Sequence, residues 1–464
     1  MATSAKQYLG TLMLGCLLLL SSGTWALGQP SISKELEQEL EALKKRIQEI
    51  EQSQKASPPQ PPWAEFFSKF KFAGQLGLRS EYIANENFTT NEEHWRQRFR
   101  LRAGLTYNPV EPLQIGVRLS SGDPKFPSTG WETFGSSGGV GEDPEGNSSK
   151  VRINLDRVFM SYTAPKYLTV TAGKFEFPFF KPQAVWGSGI FFDDDVQPAG
   201  AAETFQIPDA GPFRWLRLTL GQFVLEEIQT KGTLRGSGWI GQQVSGKVSL
   251  AQQTDLTGGV GYYEFFQPSK IARGVPIFLS SGKYNNRFTN RAVTAGGSLN
   301  CTNNSTTGVS TCAGFLSEFR IIQPNLQLMT QVGGIPFLMT VDYVNNLGAK
   351  SEPTTHTGPK NNAFLAFLAV GSNEMPGSIR VGYGYYYSQA DSVLSVFADD
   401  DYQFTNVKTH IFDVQYRIWK DVLIQWDTYI QRFEDPSLAF AQGITSPFDN
   451  PTKTRSRISM LVNF

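Results

Sequence analysis

From Trp63 to Phe464 the chain keeps one rhythm: segments of about 9–15 residues in which apolar and polar positions alternate, with Gly, Pro, Asn and Asp between them. Trp95, Gln97, Phe99, Leu101, Ala103, Leu105 and Tyr107 fall on one face of such a segment, and Arg96, Arg98, Arg100, Arg102, Gly104 and Thr106 on the other. Leu113, Ile115, Val117 and Leu119 oppose Gln114, Gly116, Arg118 and Ser120, and segments 379–388 and 422–431 divide in the same way. A period of two predicts strands, and about 9–11 tilted residues suffice to cross a bilayer. The connections alternate in length: short at 108–112, 164–166, 333–336, 373–377 and 419–421, long at 122–149, 176–201, 346–361, 390–404 and 434–453. Short turns at one end and long external loops at the other predict an all-β transmembrane barrel over 63–464, with about 16 antiparallel strands and 14 or 18 as the neighbouring counts. The sixth strand, near Glu203–Ile207, and the tenth, which must absorb Pro324, are the least regular.

Upstream the pattern changes. Residues 1–28 read as a signal peptide, with Lys6, an apolar Leu9–Leu20 and small residues around Thr24-Trp25-Ala26. In 29–53, Leu36, Leu40, Leu43, Ile47 and Ile50 step by four and three among Glu and Lys, predicting a periplasmic coiled-coil helix. Three heptads are marginal alone, so the helix needs a partner, or else lies on another surface by its apolar face. Residues 54–62 form a Pro-rich linker. Export makes Cys301 and Cys312, which flank a Thr/Asn/Ser-rich loop, a disulfide candidate, two free thiols being the other reading.

Composition narrows the classes. Aromatics reach 13% and charged residues only 18%, and no series of apolar runs of about 20 residues provides a bundle of spanning helices. Lys+Arg 42 balances Asp+Glu 42, which disfavours a nucleic-acid binder. The three His are scattered, so neither metal nor cofactor is expected. Gly135–Gly139 and Gly236–Gly241 match enzyme strings but lack the strand-turn-helix context those need, so no catalytic residues are assigned. Ile458, Met460, Val462 and Phe464 alternate up to an aromatic last residue, the kind of end that the outer-membrane barrel assembly machinery recognises.

The arginines carry the candidate chemistry. Alternate strand positions stand about 6.8 Å apart on one face. Facing lipid, each of Arg96, Arg98, Arg100 and Arg102 would cost roughly 2–4 kcal/mol near the midplane. They, and Arg118, are therefore expected to line the pore. Neighbouring like charges repel, so either acids such as Asp156 pair with them or anions pass beside them.

The chain resembles the bacterial putative porin family of outer-membrane β-barrel porins. The matching stretches are Trp95–Pro109, Ile153–Tyr162, Ala172–Phe179, Asp193–Ala202, Gly334–Asn346 and Ile379–Ser388. The insertion Gln267–Gly314 and Gly377, where the family tends to carry a large aromatic, depart from the pattern. In porins the third long loop folds inward, so the resemblance implies that Phe191, Phe192, Asp193, Asp194 and Asp195 belong to a constriction loop facing the arginines. The expected protein is a homotrimeric channel of the bacterial outer membrane, contacting lipid and passing small hydrophilic solutes with an anion preference, its coiled coil joining barrels or reaching the cell-wall layer. The alternative is a structural or adhesion barrel with a plugged lumen.

Overall fold

The computed structural model describes residues 39, 41–46, 49, 62–85, 93–122, 128–134, 152–187, 189–226, 229–230, 233–234, 236–268, 289–294, 312–352, 358–402, 404–441 and 452–464. It divides into units 1–67 and 68–464. Of the first, residues 39, 41–46 and 49 are helical, and a short helix, α1 (Pro62–Ser68), carries Trp63, Phe66 and Phe67 with edge-on ring contacts. The signal segment, Leu36, Leu40, Ile47, Ile50 and Cys301 lie outside the described residues, as does all of the linker but Pro62.

The second unit is a closed antiparallel barrel of 16 wall strands. In order these are β1 (Phe70–Ala84), β2 (Glu93–Val110), β3 (Leu113–Ser121), β4 (Ile153–Thr163), β5 (Leu168–Lys174), β6 (Ala199–Ala210), β7 (Phe213–Glu226) and β8 (Ser237–Ala251). They continue as β9 (Thr254–Phe266), β10 (Arg320–Val332), β11 (Ile335–Asn346), β12 (Asn362–Gly371), β13 (Ile379–Ser388), β14 (Val407–Trp419), β15 (Val422–Phe433) and β16 (Lys453–Asn463). Each pairs with the next, and β16 returns to β1 from Gln75↔Asn463 to Ala84↔Thr454, so no edge remains. A seventeenth piece of the sheet, Glu132–Thr133, pairs only with Arg98 and Phe99.

Alternation sorts the faces. Trp95 (66% exposed) and Leu105 (44%) point outward, while Arg98 and Arg100 between them are buried inside. The outer face continues with Leu76, Val117, Met160, Val341, Tyr383, Trp426 and Ile458, the apolar band that lipid requires. No described helix is long and apolar enough to cross a membrane. Short connections close one end, several of them only two residues long; Gly333 and Gly334, both at positive φ, make the β10–β11 turn. Pro324 sits opposite Val260 inside β10, and β6 begins at Ala199, inside the stretch expected to be loop.

The apolar core lies within the barrel. Phe177, Phe179, Phe191 and Phe192 pack with Phe223, Trp239, Tyr263 and Phe265, which point in from the wall. These rings belong to a long connection folded inward.

Candidate functional site

The inward connection between β5 and β6 runs over 175–198. Phe180 exchanges hydrogen bonds with Gln243 of β8, its N–H donating at 2.6 Å and its carbonyl accepting at 3.0 Å. The Gln183 N–H donates to Gln327 of β10, and Thr340 of β11 donates to the Gln183 carbonyl. Trp186 reaches the opposite wall, donating to Asp427 of β15 at 3.3 Å. Returning, Asp195 meets β2, and Gln197 accepts from Arg157 of β4. The loop is thus strapped to walls all round the interior. Buried Gln, Asn and Thr side chains face its main chain because its carbonyls and N–H groups, out of water, need partners.

A second inward segment corrects the sequence reading. The connection 389–406, expected to be an external loop, is folded inside, with Ala390, Val393, Leu394, Ala398 and Tyr402 fully buried. Its apolar composition (Val393, Leu394, Phe397) was the available signal. Asp391 anchors it to Arg291 at 2.8 Å, and Asn290 donates to the carbonyls of Ala390 and Val393. The two segments dock directly. The Asp193 N–H donates to the Phe397 carbonyl at 2.7 Å, the Asp399 N–H to Gly189 at 3.1 Å, and the Tyr402 hydroxyl to Gly187 at 3.1 Å. Phe192 stacks on Phe397 with centroids 5.2 Å apart. A Cβ on Gly189 would stand 2.4 Å from that of Asp399, so only glycine permits this approach.

The ladder arginines all point inward, but they do not stand alone. Glu81 of β1 lies opposite Arg96 and binds Arg96 at 2.7 Å, Arg98 at 3.5 Å and Arg455 of β16. Asp195 of the first loop binds Arg102, lies 3.8 Å from Arg100, and accepts from the Gly130 N–H. Arg118 pairs with Asp156 of the adjacent strand. Lys181 holds Asp194. Arg455 and Arg457 hold Asp401, and Arg457 also holds Asp427. Phe191 and Phe192 belong to the aromatic packing rather than to the charged opening.

Between these charges lies a cavity of about 90 Å³, lined by Arg79, Arg100, Arg102, Ser128, Trp131, Trp186 and both aspartate triplets, Asp193–Asp195 and Asp399–Asp401. Trp131 rests on Gly77, where a Cβ would come within 2.7 Å of its ring, and the Arg79 guanidinium stacks on it at 3.7 Å. Burial and the neighbouring Asp400, Asp194 and Asp401 push the Asp193 carboxyl well above the ordinary carboxylate range, against the pull of Lys181. Burial with Asp193, Asp401 and Asp400 raises Asp399 likewise. Burial works against the charge of Asp401 too, but Arg457, Arg455 and Arg79 outweigh it and hold that carboxyl well below its ordinary value.

Sequence reasoning brought together the arginines and Asp193–Asp195, and the structure joins them through Asp195 alone. It missed Arg79, Glu81, Trp131, Trp186, Asp427 and the second triplet. A signal existed for some: Asp399–Asp401 repeats the Asp-Asp-Asp string of the first loop, and Lys453, Arg455 and Arg457 alternate as the ladder does. Cys312 opens a short strand, Cys312–Phe315, that pairs with Ala292–Thr294; its proposed bond to Cys301 lies outside the described residues. Phe464 exchanges backbone hydrogen bonds with Gly74, and its ring lies on the outer face beside Phe72.

A closed barrel with an apolar outside and a charged inside is an outer-membrane β-barrel. Residues 78–429 match the putative porin family, and the chain belongs to it. Its members are channels of the bacterial outer membrane. No curated protein sequence matches the chain. Among solved structures, the high-pH form of OprB from Pseudomonas putida is similar at 10% identity and TM-score 0.49, covering 86% of this chain and 96% of that one. An anion-selective porin from Comamonas acidovorans is similar at 10% identity and 0.44, covering 85% and 99%. The outer membrane channel DcaP of Acinetobacter baumannii is similar at 11% identity and 0.41, covering 85% and 97%.

Proposed function

We propose that this protein is a diffusion channel for small hydrophilic solutes whose constriction is built by two inward loops and is segregated in charge. The observation that carries the reading is the cavity whose lining brings Arg79, Arg100 and Arg102 together with two aspartate triplets. Such a cross-field orients dipolar solutes and filters them by charge. Arg96 and Arg98 share Glu81, and Arg118 is held by Asp156, so an anion preference carried by the ladder has little support from the geometry. With Asp194, Asp195 and Asp401 held by Lys181, Arg102, Arg455 and Arg457, it is Asp193, Asp399 and Asp400, with no cationic side chain bonded to them among the described residues, that favour cations instead. Single-channel recording in planar bilayers tests both points. Ohmic steps are expected, with a reversal potential of the cation-selective sign in a KCl gradient; the opposite sign restores the anion-preferring ladder. A second reading has its own observation. Loops 175–198 and 389–406 fill so much of the interior that a plugged structural barrel fits as well, and a folded but electrically silent protein supports it. Trimer assembly, the coiled-coil tether and the Phe464 assembly signal remain parts of the proposal, read by cross-linking and by export of truncated chains.

A further inference from the structure

The cavity holds two kinds of charge that the protein itself leaves unanswered. Arg79 is only 3% exposed, yet its guanidinium makes one hydrogen bond, from Nε to Ser459 at 3.0 Å, and no ion pair among the described residues. It is held by stacking on Trp131 and stands 5.2 Å from the Trp186 ring, and it lines the cavity. The two terminal nitrogens, the part of the group that grips a carboxylate in a two-pronged manner, have no hydrogen-bond partner among the described residues. On the two inward loops, carboxylate oxygens of Asp193, Asp399 and Asp400 all lie within 4.8 Å of one another. None of the three has a cationic side chain bonded to it. Asp193 and Asp399 each accept only a main-chain N–H, from Asp195 and Asp401 respectively. The other cavity acids are answered: Asp194 by Lys181, Asp195 by Arg102, Asp401 by Arg455 and Arg457.

We propose that this cavity is a binding subsite for zwitterionic solutes bearing a carboxylate and an ammonium group, that is, amino acids and short peptides. The carboxylate takes the free nitrogens of Arg79, flanked by the Trp131 and Trp186 rings, and the ammonium sits among Asp193, Asp399 and Asp400. One solute then supplies both missing counter-charges at once, which neither a simple anion nor a simple cation does. A buried charge without a partner is costly, and filling both ends relieves both costs. A bound ammonium also favours the ionised form of the two carboxyls whose own surroundings press them toward the neutral one. The cavity, about 90 Å³, has room for several water-sized groups, which suits the polar head of such a solute rather than a large one.

The proposal rests on the channel reading for its biological sense, but its test does not require conduction. The detergent-solubilised full chain is titrated calorimetrically at pH 7 with glycine, glycylglycine, acetate and glycinamide. The zwitterions are expected to bind at least tenfold more tightly than acetate, which lacks the ammonium, and than glycinamide, which lacks the carboxylate. Arg79→Gln is expected to bring glycine down to the level of glycinamide, and Asp400→Asn to bring it down to the level of acetate. Equal affinities for all four probes in the unaltered protein overturn the subsite without recourse to any variant, as does tight binding of acetate alone. Conductance recorded in parallel separates the two ideas. A silent barrel that still prefers glycine keeps the subsite and loses the channel, whereas a conducting barrel indifferent to the probes does the reverse.

Discussion

The two inward loops carry the same tripeptide, Asp-Asp-Asp, and use it in the same way up to a point. In each, the first aspartate accepts the N–H of the third, at 2.6 Å for Asp193 and 2.7 Å for Asp399, a short turn that aims the first carboxylate at the other loop. In each, the third aspartate fastens the loop to arginines of the wall. The difference lies in what receives it. Asp195 meets Arg102 and Arg100 of β2, of which Arg102 is partly exposed. Asp401 meets Arg455 and Arg457 of β16, and Arg457 is completely buried and shared with Asp427. A local string thus sets a turn, and the surrounding wall decides how deeply the arginines that receive its last carboxylate are buried.

Removing the anchors should break this comparison most strongly. Asp401→Ala leaves Arg457 and Arg455 short of a buried partner, and a loss of about 3–5 kcal/mol is expected in denaturant unfolding of the detergent-solubilised barrel. Asp195→Ala, whose arginine partners are less deeply buried, should cost clearly less; equal losses would contradict the comparison. Next in size is the loop contact itself. Gly189→Val forces an isopropyl group against Asp399, costs about 1–3 kcal/mol, and should raise the noise of single-channel currents by separating the loops.

A smaller effect is expected from pH. Asp193 and Asp399 are raised in the folded protein, so the folded state keeps its protons where the unfolded chain has lost them. The loop contact is therefore firm at low pH and weakens as pH climbs from the ordinary carboxylate range through the raised values. The groups that act on the pair are Asp194, Asp400, Asp401 and Lys181. Protease cleavage within 389–406 should accelerate over that climb, and Asp399→Asn should flatten the profile; an unchanged profile sinks the account. The smallest change belongs to Arg157→Gln. Its partner Glu176 is 73% exposed, and a stability loss of no more than about 1 kcal/mol is expected.

Much of the wall was legible because a strand between lipid and water must alternate, and β2 shows it: Trp95 and Leu105 outside, Arg98 and Arg100 inside. The inward turn of 175–198 came from family likeness, and of its three acids Asp195 pairs with an arginine of the ladder. The inward turn of 389–406 was not read, since a long polar-and-apolar connection looks alike whether it roofs a barrel or enters it. Glu81 was not read as a partner of the ladder either, although period two puts it on the inner face of β1. Its role depends on which residue of β2 stands across from it, and that register is Glu81↔Arg96.

By itself, the sequence determined which side chains face lipid, which face inward, and that the chain closes into a barrel, because desolvation of backbone and charge leaves a membrane-spanning strand no other arrangement. Tertiary structure alone decided which charges are answered and which are left waiting. Arg79, two positions from Glu81 on the same face, is unpaired while Glu81 serves three arginines. Ion pairing depends on separations of a few ångströms between segments hundreds of residues apart, and those separations are fixed only when the loops and the wall meet.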